Sequence, residues 1–224
     1  MKIVLQSLAS VVFGLVFFGL ALFWPAGTFD YWQAWVFIFV FIFATMGPSL
    51  YLAVKMPDAL QRRMKAGPFA ETRPLQKVIM AGTILSVAAV LVVSAFDYRF
   101  GWSTVPTAVV VVGVVLVFLG LTMAQFVVIQ NNYAGATVTV EADQKLVSTG
   151  LYGLVRHPMY VGTLVMMLGT PLALDSYWGL ILIAPALLIL AFRITDEEKL
   201  LREELDGYQE YMQKVPYRLV PGVW

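Results

Sequence analysis

Two short polar clusters in the second half of this chain contain the side chains best suited to chemistry. The first is the pair Arg156 and His157, directly before an apolar segment, and the second follows the next apolar segments, with Arg193 ahead of Glu197 and Glu198. Such groups offer a carboxylate to a cationic ligand and a guanidinium to an anionic one. The chain has no cysteine and a single histidine, which excludes a thiolate nucleophile, a disulfide and a Cys/His zinc site.

Each cluster alone also has an ordinary structural explanation. Arg156 could extend to lipid phosphates, and Pro158 suits a first helical turn, where its missing N–H is not needed. Glu197 and Glu198 could favour the dipole at a helix amino terminus. The two clusters are more informative together, because a helical hairpin of about 35 residues separates them and returns the chain to the same side. We therefore expect them to meet at one depth.

Long apolar segments dominate the chain and predict membrane spans. Hydrophobic residues make up 60% of the sequence, charged residues only 13%, and the mean hydropathy is +0.79. Four segments are near or above the roughly 20 residues that cross a bilayer, at about 3–24, 31–54, 77–96 and 104–130. No small-x-small cleavage pattern follows the first, so we expect it to be a retained span. Two shorter segments, at about 158–174 and 177–194, predict a helical hairpin in which Pro171 and Pro185 are candidate kinks.

The sequence after Thr195 changes from apolar to amphipathic. Leucine, tyrosine and valine residues up to about Val215 follow a mostly helical spacing opposite a charged face, as in a helix lying on the membrane or on the core. Thr195 followed by Glu198 is a capping-box pattern that predicts a new helix start. The fold class is therefore all-α: a polytopic membrane bundle of four long spans, a hairpin and a cytoplasmic amphipathic helix. We divide it into a four-helix membrane region, 1–130, and a cofactor-binding and catalytic region, 131–224.

The basic residues predict the orientation. With a cytoplasmic amino terminus, fourteen of the fifteen lysines and arginines fall on the cytoplasmic side and only Arg99 lies outside, as the positive-inside rule requires. The polar clusters then face the cytoplasm. With a net charge of +1 and no basic face, nucleic acid is not an expected partner.

Three linked motifs carry a resemblance to a known family. They read Leu-Val-x-x-Gly-x-Tyr-x-x-x-Arg-His-Pro-x-Tyr, Arg-Ile-x-x-Glu-Glu-x-Leu-Leu and Gly-x-x-x-Tyr-x-x-x-Val-Pro, in that order within residues 144–221. This arrangement resembles the isoprenylcysteine carboxyl methyltransferases and the related phospholipid methyltransferases of membranes. The first 140 residues carry no comparable motif and indicate only that the chain spans the membrane.

The resemblance implies roles for individual residues. Glu197 would be a carboxylate that holds S-adenosylmethionine, and Arg193 the arginine that positions the substrate carboxylate. Arg156 joins the catalytic group, Glu198 the cofactor-binding group, and Tyr208 supports them. The other residues implied to cradle the cofactor are Gln144, Leu146, Val147, Tyr152, His157 and Tyr160.

The function that follows is an S-adenosylmethionine-dependent methyltransferase whose lipophilic acceptor enters from the bilayer. The favoured acceptor is the carboxylate of an isoprenylcysteine-like molecule, which is already ionised near neutral pH and needs no general base. Methyl transfer depends on alignment and desolvation and requires no metal. The membrane would be the cell membrane of a prokaryote or the endoplasmic reticulum of a eukaryote.

Three alternatives remain open. Lipid amines or small thiols would have to lose a proton, for which His157 or Glu198 are the available acceptors. Membrane sterol reductases resemble the family in their carboxyl-terminal half but bind NADPH, whose extra phosphates call for more basic residues than this loop contains. A transporter or structural protein predicts ionisable residues inside the spans, and the first four segments have them only at their ends.

Overall fold

The computed structural model describes the backbone of residues 2–224 and the side chains from Val12 onward. Every regular element in this range is helical, including a short 3-10 turn at Gly150–Gly153. The α-helices are α1 (Lys2–Ala26), α2 (Trp32–Lys55), α3 (Pro57–Met64), α4 (Pro74–Phe100), α5 (Thr107–Gln130), α6 (Pro158–Ala173), α7 (Trp178–Ile181), α8 (Ile183–Glu204) and α9 (Tyr208–Lys214).

The predicted membrane bundle is confirmed. Among the described residues, α2, α4, α5 and the stretch Trp178–Glu204, which combines α7 and α8, are long and apolar enough to cross a bilayer. Helix α1 has 25 residues and α6 has 16, so α6 is the short member of the bundle. Large apolar side chains such as Phe13, Phe39 and Leu85 point outward, as expected where lipid replaces water around the bundle.

Helix α6 packs most closely against α5, through glycines spaced seven residues apart on both helices. A Cβ atom on Gly120 would lie 2.5 Å from the carbonyl oxygen of Gly162, and one on Gly113 would lie 2.3 Å from the backbone nitrogen of Ala173. No side chain fits at such a distance, so these positions require glycine. Small residues let membrane helices approach backbone to backbone, and this contact fixes the depth at which α6 begins.

A polar cluster at the end of the bundle where α4 ends and α7 begins holds α7 and α8 in place. Asp97, fully buried near the end of α4, accepts hydrogen bonds from the backbone and side chain of Ser103, from the Ser176 hydroxyl and from the backbone of Trp178. The Tyr31 hydroxyl donates to the carbonyl of Leu174, 2.6 Å away. These bonds satisfy the turn between α6 and α7 where water is scarce, and so set the starting point of α8.

The prediction of a new helix start at Thr195 is wrong. Helix α8 runs without a break from Ile183 to Glu204, and the Thr195 hydroxyl donates to the carbonyl oxygens of Ala191 and Phe192 one turn earlier. A capping box needs a non-helical residue at the cap, whereas here the preceding span continues through it. The amphipathic segment is instead divided between the end of α8 and α9, at a turn where Gly207 has a φ of 79°.

The two prolines that the sequence offers as candidate kinks lie at different places in their helices. Pro171 lies inside α6, close to its carboxyl end. Pro185 lies in the first turn of α8, just after the interruption at Leu182, where its missing N–H leaves no helical hydrogen bond unmade. Pro185 therefore lies where a helix begins and does not interrupt one.

Candidate active site

A polar cavity lies where the predicted polar clusters converge. Its wall comes from the loop 131–157, the start of α6, the last turns of α8 and α9. Ten of the residues that the sequence singles out line this cavity: Gln144, Leu146, Val147, Tyr152, Arg156, His157, Tyr160, Arg193, Glu197 and Tyr208.

Glu198 is brought to the same place but does not line the cavity. It is fully buried, and its Oε1 accepts hydrogen bonds from Arg156 at 2.7 Å and from His157 at 3.2 Å, while Oε2 accepts one from Arg218 at 2.9 Å. Arg156 also donates to the carbonyl oxygens of Val215 and Pro216. This network ties α6, α8 and the carboxyl-terminal segment together and orients His157.

Glu197 points the other way, into the cavity. Its Oε2 accepts a 2.6 Å hydrogen bond from the Tyr160 hydroxyl. In the described part of the chain its Oε1 has no hydrogen-bond partner, and the ring nitrogen His157 Nδ1 is 4.0 Å away. The side chain is 24% exposed. One carboxylate oxygen is thus held in place and the other is available to a cation.

Arg193 lies beside Tyr160 and is almost completely engaged. Its Nε donates to the Tyr160 hydroxyl at 2.9 Å, Nη1 to Glu71 and Gln76, and Nη2 to the carbonyl of Ala136 at 2.8 Å. These bonds use four of the five N–H donors of a guanidinium. The arginine is therefore rigidly oriented, with one N–H on Nη2 left for a ligand.

Several members of the site were missed by sequence reasoning. Glu71, in the loop before α4, is 2% exposed and also accepts a hydrogen bond from the backbone of Val138. Gln76, fully buried in the first turn of α4, binds both Arg193 and Asp196. Only the folded arrangement brings them to Arg193, more than a hundred residues later, and no motif or periodic spacing marks them.

Tyrosines enclose the polar cavity and stay protonated. Burial raises the pKa of Tyr152 to about 12, against a smaller opposing effect from the hydrogen bond with Asn131. Burial, reinforced by Glu198 and Glu197, also raises the pKa of Tyr208. The Tyr208 hydroxyl is buried and has no hydrogen-bond partner among the described residues, so it is free to bind a ligand. The cavity thus offers neutral hydroxyl groups beside one accessible carboxylate.

A second, apolar cavity of about 280 Å³ adjoins the first. It lies between α4, α6 and α8 and is lined by methionine, valine, leucine and isoleucine side chains together with a few hydroxyl groups. Both cavities include Gly135, Met159, Tyr160 and Arg193 in their walls. The polar and the apolar compartments therefore meet at Tyr160 and Arg193.

Comparison with known proteins confirms the resemblance carried by the motifs. A family model for phospholipid methyltransferases matches residues 108–206. Protein-S-isoprenylcysteine O-methyltransferase of Schizosaccharomyces pombe is 40% identical over 76 residues, which are 33% of this chain and 32% of that protein. A delta(14)-sterol reductase of Mus musculus is 33% identical over 95 residues, 39% of this chain and 22% of that protein.

The matched region, from the start of α5 to the turn after α8, is similar to the phospholipid methyltransferase family and to the isoprenylcysteine O-methyltransferase. The chain spans about a third or less of the length of the two curated relatives. The shared region contains the loop, the α5–α6 contact and the end of α8, which are the elements that build the polar cavity.

Proposed function

We propose that this protein is a membrane methyltransferase that uses S-adenosylmethionine to methylate the carboxylate of a lipophilic, isoprenylcysteine-like acceptor. The observation that carries the proposal is the junction of the two cavities at Tyr160 and Arg193. A water-soluble methyl donor and a bilayer-soluble acceptor need adjoining compartments of opposite polarity. The family of residues 108–206 and the methyltransferase relative support the same reading.

The residues of the polar cavity fit the proposed donor. The open Oε1 of Glu197 suits an ammonium or sulfonium group, and the unpartnered Tyr208 hydroxyl suits a polar atom of the ligand. Leu146, Val147 and the Tyr152 ring provide apolar and aromatic surface for the adenine. In this assignment Glu198 and Arg156 are positioning residues, because their mutual ion pair holds His157 in the cavity wall.

The protein's own contribution to the reaction is orientation. Bound S-adenosylmethionine supplies a methyl group whose bond to sulfur breaks, with the electron pair staying on sulfur, as an acceptor oxygen bonds to the methyl carbon. Arg193, fixed by Glu71 and Gln76, has one N–H with which to orient a carboxylate. The apolar wall keeps water away from the reacting atoms, which strengthens these interactions.

A carboxylate acceptor suits this site better than an amine or a thiol. Those acceptors must lose a proton. Glu198 is a poor proton acceptor because both its oxygens already accept hydrogen bonds from Arg156, His157 and Arg218, and His157 is engaged with Glu198 through Nε2. Glu197 binds Tyr160 and would be needed for the donor. A carboxylate, already ionised, yields a methyl ester with no proton to remove.

The sterol-reductase relative favours a second candidate, a nicotinamide-dependent reductase. Four basic residues line the polar cavity in the described part of the chain. Arg156 is paired with Glu198, and Arg193 is paired with Glu71. His157 faces Glu198. Lys145 is left for the several phosphates of NADPH. The charge balance thus supports the methyl donor over the dinucleotide.

We further propose that the site faces the cytoplasm of a cell membrane or of the endoplasmic reticulum, and that 1–130 and 131–224 are a membrane region and a catalytic region. The first region nevertheless contributes to the site, since Glu71 and Gln76 hold Arg193. Incubation of the detergent-purified chain with S-adenosylmethionine and prenylated carboxylate, amine or thiol acceptors tests the function. Methyl ester should form from the carboxylate. Methylation of the amine or thiol alone would contradict the acceptor assignment, and no methylation of any of them would contradict the function.

A further inference from the structure

Arg63, near the end of α3, is an arginine of the apolar cavity that no motif indicates. Its Nη1 donates to the carbonyl oxygen of Gly135 at 3.1 Å and contacts the sulfur of Met159 at 3.3 Å. Both partners belong to the wall shared by the two cavities. The guanidinium of Arg63 therefore lies at the junction of the two compartments.

Arg63 differs from its neighbours in having no carboxylate partner. Arg62 pairs with Glu141 at 2.7 Å, and Arg156 and Arg193 have their own acidic partners. Within 4.0 Å of Arg63 the described residues include no carboxylate oxygen, and residues 1–11 contain no aspartate or glutamate. Its Nε and Nη2 have no hydrogen-bond partner in the described region. Neither atom is fully enclosed by protein. Three N–H donors thus have no protein partner and are not sealed off from a ligand.

The surroundings make an unpaired cation unfavourable at this position. Burial among apolar side chains and the nearby charge of Arg193 both lower the pKa of Arg63. The side chain is only partly exposed, and a cation withdrawn from water is stabilised by an anionic partner or ligand. An anion in the cavity would contact a guanidinium with free donors on one side and the remaining N–H of Arg193 on the other, and would offset the repulsion between them.

We propose that Arg63 is the specificity-determining residue that binds the carboxylate of the acceptor while the apolar part of the acceptor fills the cavity between α4, α6 and α8. This inference rests on the proposed function and adds to it the residue that selects an acidic acceptor. Arg193, which is held by four hydrogen bonds to the protein, aligns the carboxylate. Arg63, whose guanidinium has N–H groups without a protein partner, distinguishes an acidic acceptor from a neutral one.

The test compares acid and amide forms of one acceptor by direct binding. The probes are N-acetyl-S-farnesyl-L-cysteine and its carboxamide, titrated into the detergent-purified full chain saturated with S-adenosylhomocysteine. A charge-assisted hydrogen bond should make the wild type bind the acid about 10-fold or more tightly than the amide. In Arg63→Gln the acid should bind no better than about 2-fold over the amide, and affinity for the amide should be unchanged.

Arg62→Gln is the matched control. Arg62 is adjacent in sequence, but its guanidinium pairs with Glu141 and stacks over the Tyr133 ring, away from the apolar cavity. This variant should keep the full preference for the acid. A loss in Arg62→Gln equal to that in Arg63→Gln would overturn the inference, since a general change in surface charge would then explain both.

The outcomes separate this inference from the proposed function. If the wild type binds S-adenosylhomocysteine and Arg63→Gln keeps the preference for the acid, Arg63 does not select the carboxylate and the inference fails alone. If the wild type binds neither S-adenosylhomocysteine nor the acid, the proposed function fails. Should Arg63→Gln lose S-adenosylhomocysteine binding through misfolding, Arg63→Met, which keeps an unbranched apolar chain, replaces it with the same two criteria.

Discussion

Tyr160 and Glu197 are joined by a 2.6 Å hydrogen bond from the tyrosine hydroxyl to the carboxylate. Tyr160 lies in the first turn of α6 and Glu197 lies in the later part of α8, so the bond connects two helices that the turn at α7 joins at the other side of the bundle. Arg193 donates to the same hydroxyl. Tyr160 thus couples the residue proposed to hold the methyl donor to the residue proposed to align the acceptor.

Replacement of Glu197 by glutamine should weaken donor binding selectively. The change removes the charge of the open Oε1 and retains an oxygen for Tyr160, so a charge-assisted contact of about 1.5–3 kcal/mol is lost. Affinity for S-adenosylhomocysteine, measured by calorimetry, should fall accordingly. Glu203→Gln, exposed on the same helix, is the control and should bind as the wild type does. Equal affinity in Glu197→Gln and the wild type would rule out this role for Glu197.

Replacement of Arg193 by alanine should destabilise the protein as well as impair turnover. It leaves Glu71 as a buried, unpaired carboxylate, which commonly costs about 3–5 kcal/mol. The double variant Arg193→Ala/Glu71→Gln should recover most of this stability, because the amide oxygen can still accept the hydrogen bond from Val138. Thermal unfolding in detergent measures the effect, with Arg99→Ala, exposed at the opposite end, as control.

The same double variant separates alignment from donor binding. It should bind S-adenosylhomocysteine nearly as the wild type does and should methylate the acidic acceptor far more slowly. If donor affinity falls as much as turnover, Arg193 belongs to the donor site and not to the acceptor site.

Turnover with a carboxylate acceptor should vary little with pH between about 6 and 9. An ordinary carboxyl has a pKa of about 4, so the acceptor is ionised throughout. The cavity hydroxyls do not titrate in this window either, because burial raises the pKa of Tyr152 to about 12 and also raises that of Tyr208. Initial rates at saturating donor measure the profile. A rate that climbs tenfold per pH unit would indicate proton loss from the acceptor and would contradict a carboxylate.

The sequence predicts the bundle well because span length depends only on a long apolar run. The expected segment 104–130 differs from α5, Thr107–Gln130, by three residues at one end. The capping-box prediction failed at Thr195 because a local pattern of two side chains cannot reveal that the preceding span continues. The sequence shows Gly113 and Gly120, but it does not show which helix packs against them, because that contact exists only in the folded protein.

For the site, the sequence correctly predicted that the two polar clusters meet, since a hairpin must return its chain to the same side. The chemical roles inside the site remain proposals. Sequence reasoning placed Glu197 and Glu198 together, whereas α8 directs one into the cavity and buries the other. It could not find Glu71 or Arg63, because their importance comes from neighbours far away in the chain.

The central claim is a methyl-donor site in the polar cavity, and calorimetric titration of the detergent-purified protein tests it most directly. S-adenosylhomocysteine and NADPH are titrated separately into the wild type and into His157→Ala. The account predicts saturable binding of S-adenosylhomocysteine that is weakened in the variant, and no binding of NADPH. Saturable binding of NADPH with none of S-adenosylhomocysteine would contradict it and assign the cavity to a reductase.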